Sequence, residues 1–97
     1  MMNKYQVTIK FEMDDEFMSF VPQHRTYINR LIDKNIIEYY SVSMESQRSW
    51  MVINAINKKS VQNYLAESPL YKYWKIEIDE LFVYDGQTYR FPALQLN

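Results

Sequence analysis

Residues 68–81 read SPLYKYWKIEIDEL, and their reading decides the fold. Pro69 cannot continue a helix, because it lacks the N–H that an interior helical bond requires. Before it, Val61, Tyr64 and Leu65 recur at helical spacing, with Ser60 placed to cap that helix. After it, Trp74, Ile76 and Ile78 alternate with Lys75, Glu77 and Asp79, the pattern of a strand with one buried face. The stretch is a junction from helix to strand. Leu70 and Trp74 are expected to plug the core where the helix meets the sheet. Tyr71 and Tyr73 are expected to rim a cavity or an intersubunit contact. The apolar phase shifts at Leu81 and Val83, which suggests a bulge near Glu80 in a strand running from 74 to 84.

Working outward, residues 5–11 also alternate, with Tyr5, Val7, Ile9 and Phe11 on one side and Gln6, Thr8 and Lys10 on the other. Asp14 and Asp15 offer a helix cap and a negative first turn. Phe17, Phe20, Val21, Ile28, Leu31 and Ile32 follow at helical spacing within 15–34, and Pro22 predicts a kink or a helix in two parts. Asn35 suits a left-handed cap. Residues 36–44 and 50–57 read as strands joined by the polar turn MESQRS, Asp85-Gly86 as a turn, and TYRF (88–91) as a short fifth strand. The order β-α-β-β-α-β is the ferredoxin-like arrangement, an antiparallel four-stranded sheet with both helices on one face. Its other face is left bare, and stacking two such sheets into a dimeric α/β barrel would cover it and enclose a partly polar cavity.

Ninety-seven residues make a single domain (1–97), and aromatic residues are plentiful at 16%. A net charge of −1 without a cationic run gives no footprint for nucleic acid or an anionic membrane. Cysteine is absent and histidine occurs once, so thiol chemistry and multi-histidine metal sites are excluded. The sequence shows no apolar segment of signal-peptide or membrane-spanning length, which makes a cytoplasmic protein the expectation.

Pro69, Leu70, Tyr71 and Tyr73, followed by Ile76, Glu77, Ile78 and Leu81, resemble the signature of the muconolactone δ-isomerase family. The helix through Leu31 and the strand pair with Tyr40, Arg48 and Trp50 fit the same layout, so the resemblance spans most of residues 3–84. It implies a homodimer or larger homo-oligomer, a small lactone-type substrate and proton transfer without a cofactor. Where that family's isomerases carry acidic residues in the first helix, this chain has Gln23, His24 and Arg25, so no catalytic carboxylate carries over.

Isomerising a lactone double bond needs a base near a carbonyl, an acid, and a cation for any substrate carboxylate. His24 titrates nearest neutrality and is the candidate shuttle; the alternative is a histidine on a solvated helix turn beside Gln23 and Arg25. Tyr39 and Tyr40 fall on opposite strand faces, so one should meet the cavity; Tyr40 is taken as the second catalytic candidate, able to donate to an enolate oxygen. Arg25, Arg48, Trp50 and Tyr71 are the substrate-binding candidates, although Arg48 could equally pair with Glu45. Glu77 and Asp79 are expected to be neutralised by Lys10. Phe91, Pro92 and Leu94, in the tail 85–97, are expected to dock on a neighbouring subunit. The competing reading is a non-catalytic module of the same fold that binds a small ligand or mediates assembly.

Overall fold

The structure, a computed structural model, describes residues 2–86. The elements run β1 (Asn3–Phe11), α1 (Asp15–Ser19), α2 (Val21–Asp33), β2 (Ile37–Ser43), β3 (Arg48–Ala55), α3 (Lys58–Ala66), a 3-10 turn (Tyr71–Tyr73) and β4 (Trp74–Glu80). The four strands form one antiparallel sheet in the order β2-β3-β1-β4. This is the ferredoxin-like α+β fold. The expected fifth strand at 88–91 and the docking residues Phe91, Pro92 and Leu94 lie outside the described residues. No helix among the described residues is long and apolar enough to cross a membrane.

Alternation sets the sheet's two faces. Tyr5, Val7, Ile9 and Phe11 point to the helices and are buried, opposite Ile53, Met51 and Ser49 on β3 and Ile78, Ile76 and Trp74 on β4. The helices close this face with Tyr27, Ile28 and Leu31 from α2 and Val61 and Leu65 from α3, all buried. Tyr27 Oη ties the two helices by donating to the Tyr64 carbonyl at 2.6 Å. Each such leucine or isoleucine contributes roughly 2–5 kcal/mol relative to alanine.

The helix after β1 is in two parts, as Pro22 requires. Asp14 caps α1 by accepting from the Phe17 N–H at 2.7 Å, and Pro22 lies in the first turn of α2, where its missing N–H costs nothing. Asn35 takes a left-handed φ of 62° after α2. Four details differ from the sequence reading. Asn57, not Ser60, caps α3: its side chain accepts from the Ser60 N–H at 2.8 Å. The third strand runs from Arg48 to Ala55, two residues earlier than 50–57. The fourth strand ends at Glu80, and the irregularity falls in β2 between Ile37 and Tyr39. Leu81 still donates its N–H to the Lys4 carbonyl at 2.9 Å, after which the chain leaves the sheet.

The open face follows a register that the charges do not favour. Lys10 stands opposite Lys75 on one side and Arg48 on the other, so three cations lie in a row. Glu77 and Asp79 face Thr8 and Gln6 instead, which corrects the expected pairing with Lys10. Like charges directly opposite are destabilising. Arg48 has no ion-pair partner among the described residues, so the alternative pairing with Glu45 does not form.

Candidate functional site

On α2 the core-facing stripe is His24, Tyr27, Ile28 and Leu31, spaced i, i+3, i+4, i+7. His24 thus occupies a core position and is only 5% exposed, which overturns the reading of a solvated helix turn. Its ring is held at both nitrogens. Nδ1 lies 2.8 Å from Ser68 Oγ and Nε2 lies 3.0 Å from Tyr40 Oη. Trp74 meets the ring edge to face, with centroids 5.4 Å apart. Burial, and then the nearby Arg25 charge, push the His24 pKa down to about 4, so the imidazole is neutral at neutral pH.

The SPLYKYW junction builds one side of this arrangement. Ser68 Oγ accepts from the Leu70 N–H at 3.0 Å, and Tyr71 and Tyr73 donate N–H bonds to the Ser68 and Leu70 carbonyls. These successive turns bury Leu70 to 3% exposure and deliver Trp74 against His24, as the plug expected of both. Tyr73 packs edge-on against Phe17 at 5.5 Å and donates its hydroxyl to Glu16, while Phe17 stacks on Phe11 at 5.1 Å. The Glu16 carboxyl is held below its ordinary pKa by that bond and by Lys72.

From the strand side come Tyr40 on β2 and Ser49 on β3. Burial raises the Tyr40 pKa, partly countered by a hydrogen bond with the Ser49 side chain, so the group is a phenol. Ser49 in turn donates to the Ser41 carbonyl at 3.0 Å. His24, Tyr40 and Ser49 form the polar floor of a small cavity of about 140 Å³ between α1, α2 and the sheet. Phe11, Phe17, Val21, Leu70 and Trp74 line its walls. Met18, Val42 and Met44 line it too and are themselves 44–55% exposed, so they form its outer rim. Across the same region Gln47, at a left-handed φ of 53°, accepts from the Phe11 N–H with its carbonyl and from the Met13 N–H with Oε1, each at 3.1 Å.

The neutral ring has two ways to complete its bonds. In one, Ser68 donates to Nδ1, the Nε2–H donates to Tyr40, and the Tyr40 hydroxyl donates to Ser49, whose own hydrogen goes to the Ser41 carbonyl. In the other, the Nδ1–H donates to Ser68 and Nε2 accepts the Tyr40 hydrogen, at the cost of the bond to Ser49. Ser68, His24 and Tyr40 form a hydrogen-bonded chain that ends at Tyr40 Oη on the cavity floor.

Of the sequence-derived candidates, the structure brings His24 and Tyr40 together and separates the rest. They meet on the helix side of the sheet within one subunit, not on the open face where the cavity was expected. Tyr39 is the one that faces the open side, opposite Val52. Arg48 and Trp50 belong to that open face as well. Arg25 is exposed on α2, and Tyr71, 39% exposed, borders a shallow groove between α3 and β4 with Lys58 and Gln62. Ser68 and Ser49 were not singled out from sequence. Ser68 had a legible signal, a hydroxyl immediately before the helix-stopping proline; Ser49 had only its place in a strand. Among the described residues no three carboxylate or histidine side chains gather to hold a metal. No protein-family model matches the chain, and no curated protein matches it either.

Proposed function

We propose that this protein catalyses cofactor-free proton transfer on a small lactone or other carbonyl compound, as the resemblance to muconolactone isomerases implies. The observation that carries the reading is the Ser68–His24–Tyr40 hydrogen-bonded chain ending in an apolar cavity. A substrate carbonyl seated above Tyr40 receives the phenolic hydrogen bond, and a water-excluded site strengthens that bond as enolate charge develops. For the proton itself, in the form with the Nδ1–H on Ser68, His24 Nε2 takes the hydrogen from the carbon acid while Tyr40 holds the carbonyl oxygen, giving an imidazolium and an enolate. The imidazolium returns that proton to the other end of the conjugated system, so His24 is base and acid at successive moments.

One observation favours the competing reading of a binding module without turnover. Both imidazole nitrogens already have protein partners, and a pKa near 4 makes His24 a weak base. Proton NMR in D₂O with muconolactone and simple butenolides decides between them. Deuterium incorporation or double-bond migration that disappears in His24→Ala supports catalysis; no exchange with any lactone leaves the binding module.

We also propose that a second copy covers the open sheet face, forming the dimeric α/β barrel. Half-buried Trp50 and exposed Tyr39 supply apolar area there. The Arg48–Lys10–Lys75 row and the Glu77 and Asp79 pair are opposite charges on one face, which two copies stacked about a twofold can match. Light scattering on the intact chain tests this: the native protein gives a dimer mass and Trp50→Glu a monomer mass, whereas a native monomer refutes it.

A further inference from the structure

The lining of the His24 cavity specifies more than the reaction type. Its walls and rim are aromatic, aliphatic or methionine side chains, and its polar groups, His24, Tyr40 and Ser49, are uncharged at neutral pH. None of the lining residues is a lysine or arginine: Arg25 is exposed on α2, and Arg48 stands on the opposite face of the sheet. A carboxylate brought here would shed its water with no cation among the lining residues to hydrogen-bond it. The Arg25 charge is felt at His24 and Tyr40, but from an exposed position on α2 outside the lining, so the exchange remains unfavourable. Size points the same way. The cavity of about 140 Å³ matches the volume of an apolar protein cavity that holds a single benzene ring, roughly 150 Å³.

We infer that the pocket takes an uncharged monocyclic carbonyl compound, a simple butenolide or cyclic enone, with its oxygen on Tyr40, and rejects carboxylated lactones. This rests on the proposal that the same pocket is the reaction site. It also gives the rim a role: Met18 and Met44 are flexible and polarisable, suited to closing over a flat apolar ring.

The test uses the full chain labelled at methionine methyl groups, titrated at pH 7 with furan-2(5H)-one and, separately, with muconolactone. Met13, Met18 and Met44 line the pocket, while the exposed Met2 and the core Met51 serve as controls. The expected result is saturable shifts at the three pocket methyls with the uncharged ring, and at least roughly a hundredfold weaker binding of the carboxylate. Equal or tighter binding of the carboxylate, or no shift at the pocket methyls with either compound, overturns the inference. Solvent-deuterium exchange run on the same samples separates the two readings. Binding of the neutral ring without exchange refutes catalysis and leaves the specificity standing; tighter binding and exchange of muconolactone keep catalysis and overturn the specificity.

Discussion

His24 and Tyr40 meet at 3.0 Å, Nε2 to Oη, although one comes from a helix and the other from an edge strand of the sheet. The contact joins two layers of the fold through polar atoms in an otherwise apolar interior. Removing either partner therefore bears on stability and, in the proposed reaction, on turnover, and the two can be read apart. Tyr40→Phe keeps the ring packing, leaves Nε2 unpaired and should lower stability by about 1–3 kcal/mol in denaturant titration. Deuterium exchange into a bound butenolide should fall roughly 10²- to 10⁴-fold. Unchanged exchange in this variant would place the substrate oxygen elsewhere.

Ser68→Ala should be nearly as costly. It strands the Leu70 N–H and one imidazole nitrogen together, and the expected loss is again about 1–3 kcal/mol. Nitrogen NMR of the ring reports the tautomer directly: the native ring should show a neutral pair of distinct nitrogens, and the variant a changed balance between them.

Stability should depend on pH through the same residue. The His24 pKa is about 4 in the fold against 6.5 for the free side chain, so the unfolded chain binds the extra proton between those values. The stabilisation from the neutral buried ring is complete above pH 6.5 and is lost as the pH falls toward 4. The loss is on the order of 3 kcal/mol. Urea midpoints measured from pH 7 to 4 should decline for the native chain and decline less for His24→Gln.

The corrected cap of α3 gives a clean comparison. Asn57→Ala removes the acceptor for the Ser60 N–H and should cost about 1 kcal/mol, within the 0.5–2 kcal/mol range of such caps. Ser60→Ala should cost less than half of that by thermal unfolding. The reverse order would restore Ser60 as the cap.

On the open face, Lys10→Glu places an acid between Arg48 and Lys75. The isolated subunit should gain roughly 0.5 kcal/mol at low salt, and the gain should vanish near 1 M salt.

Much of this architecture was legible because it rests on periodicity. The alternation in 5–11 and 74–79 and the stops at Pro22 and Pro69 gave the succession of elements and the split helix without knowledge of contacts. The site was harder to see. His24 looked solvated because its chain neighbours Gln23 and Arg25 are polar, yet neighbours on a helix point about 100° apart. Its relation to Tyr27, Ile28 and Leu31, rather than to residues 23 and 25, states where it goes. The sidedness of Tyr40 was also undetermined, since alternation separates it from Tyr39 without saying which of the two faces the helices. Lys10 was misassigned for a related reason: composition gave it carboxylates to neutralise, but register, fixed by the buried residues, sets it between two cations.

The bridge from Gln47 to Phe11 and Met13 ties the turn between β2 and β3 to the end of β1 and the loop before α1, beside the pocket wall that Phe11 and Met13 form. Molecules then reach the Tyr40 hydroxyl past the side chains of Met18 and Met44, whose rotamers turn over in picoseconds to nanoseconds rather than on the microsecond-to-millisecond scale of loop opening. For the proposed reaction, substitutions at Met18 and Met44 are expected to change how fast a ligand arrives and leaves while the His24–Tyr40 contact stays intact. Both side chains stand at the rim, and neither touches that pair by hydrogen bond.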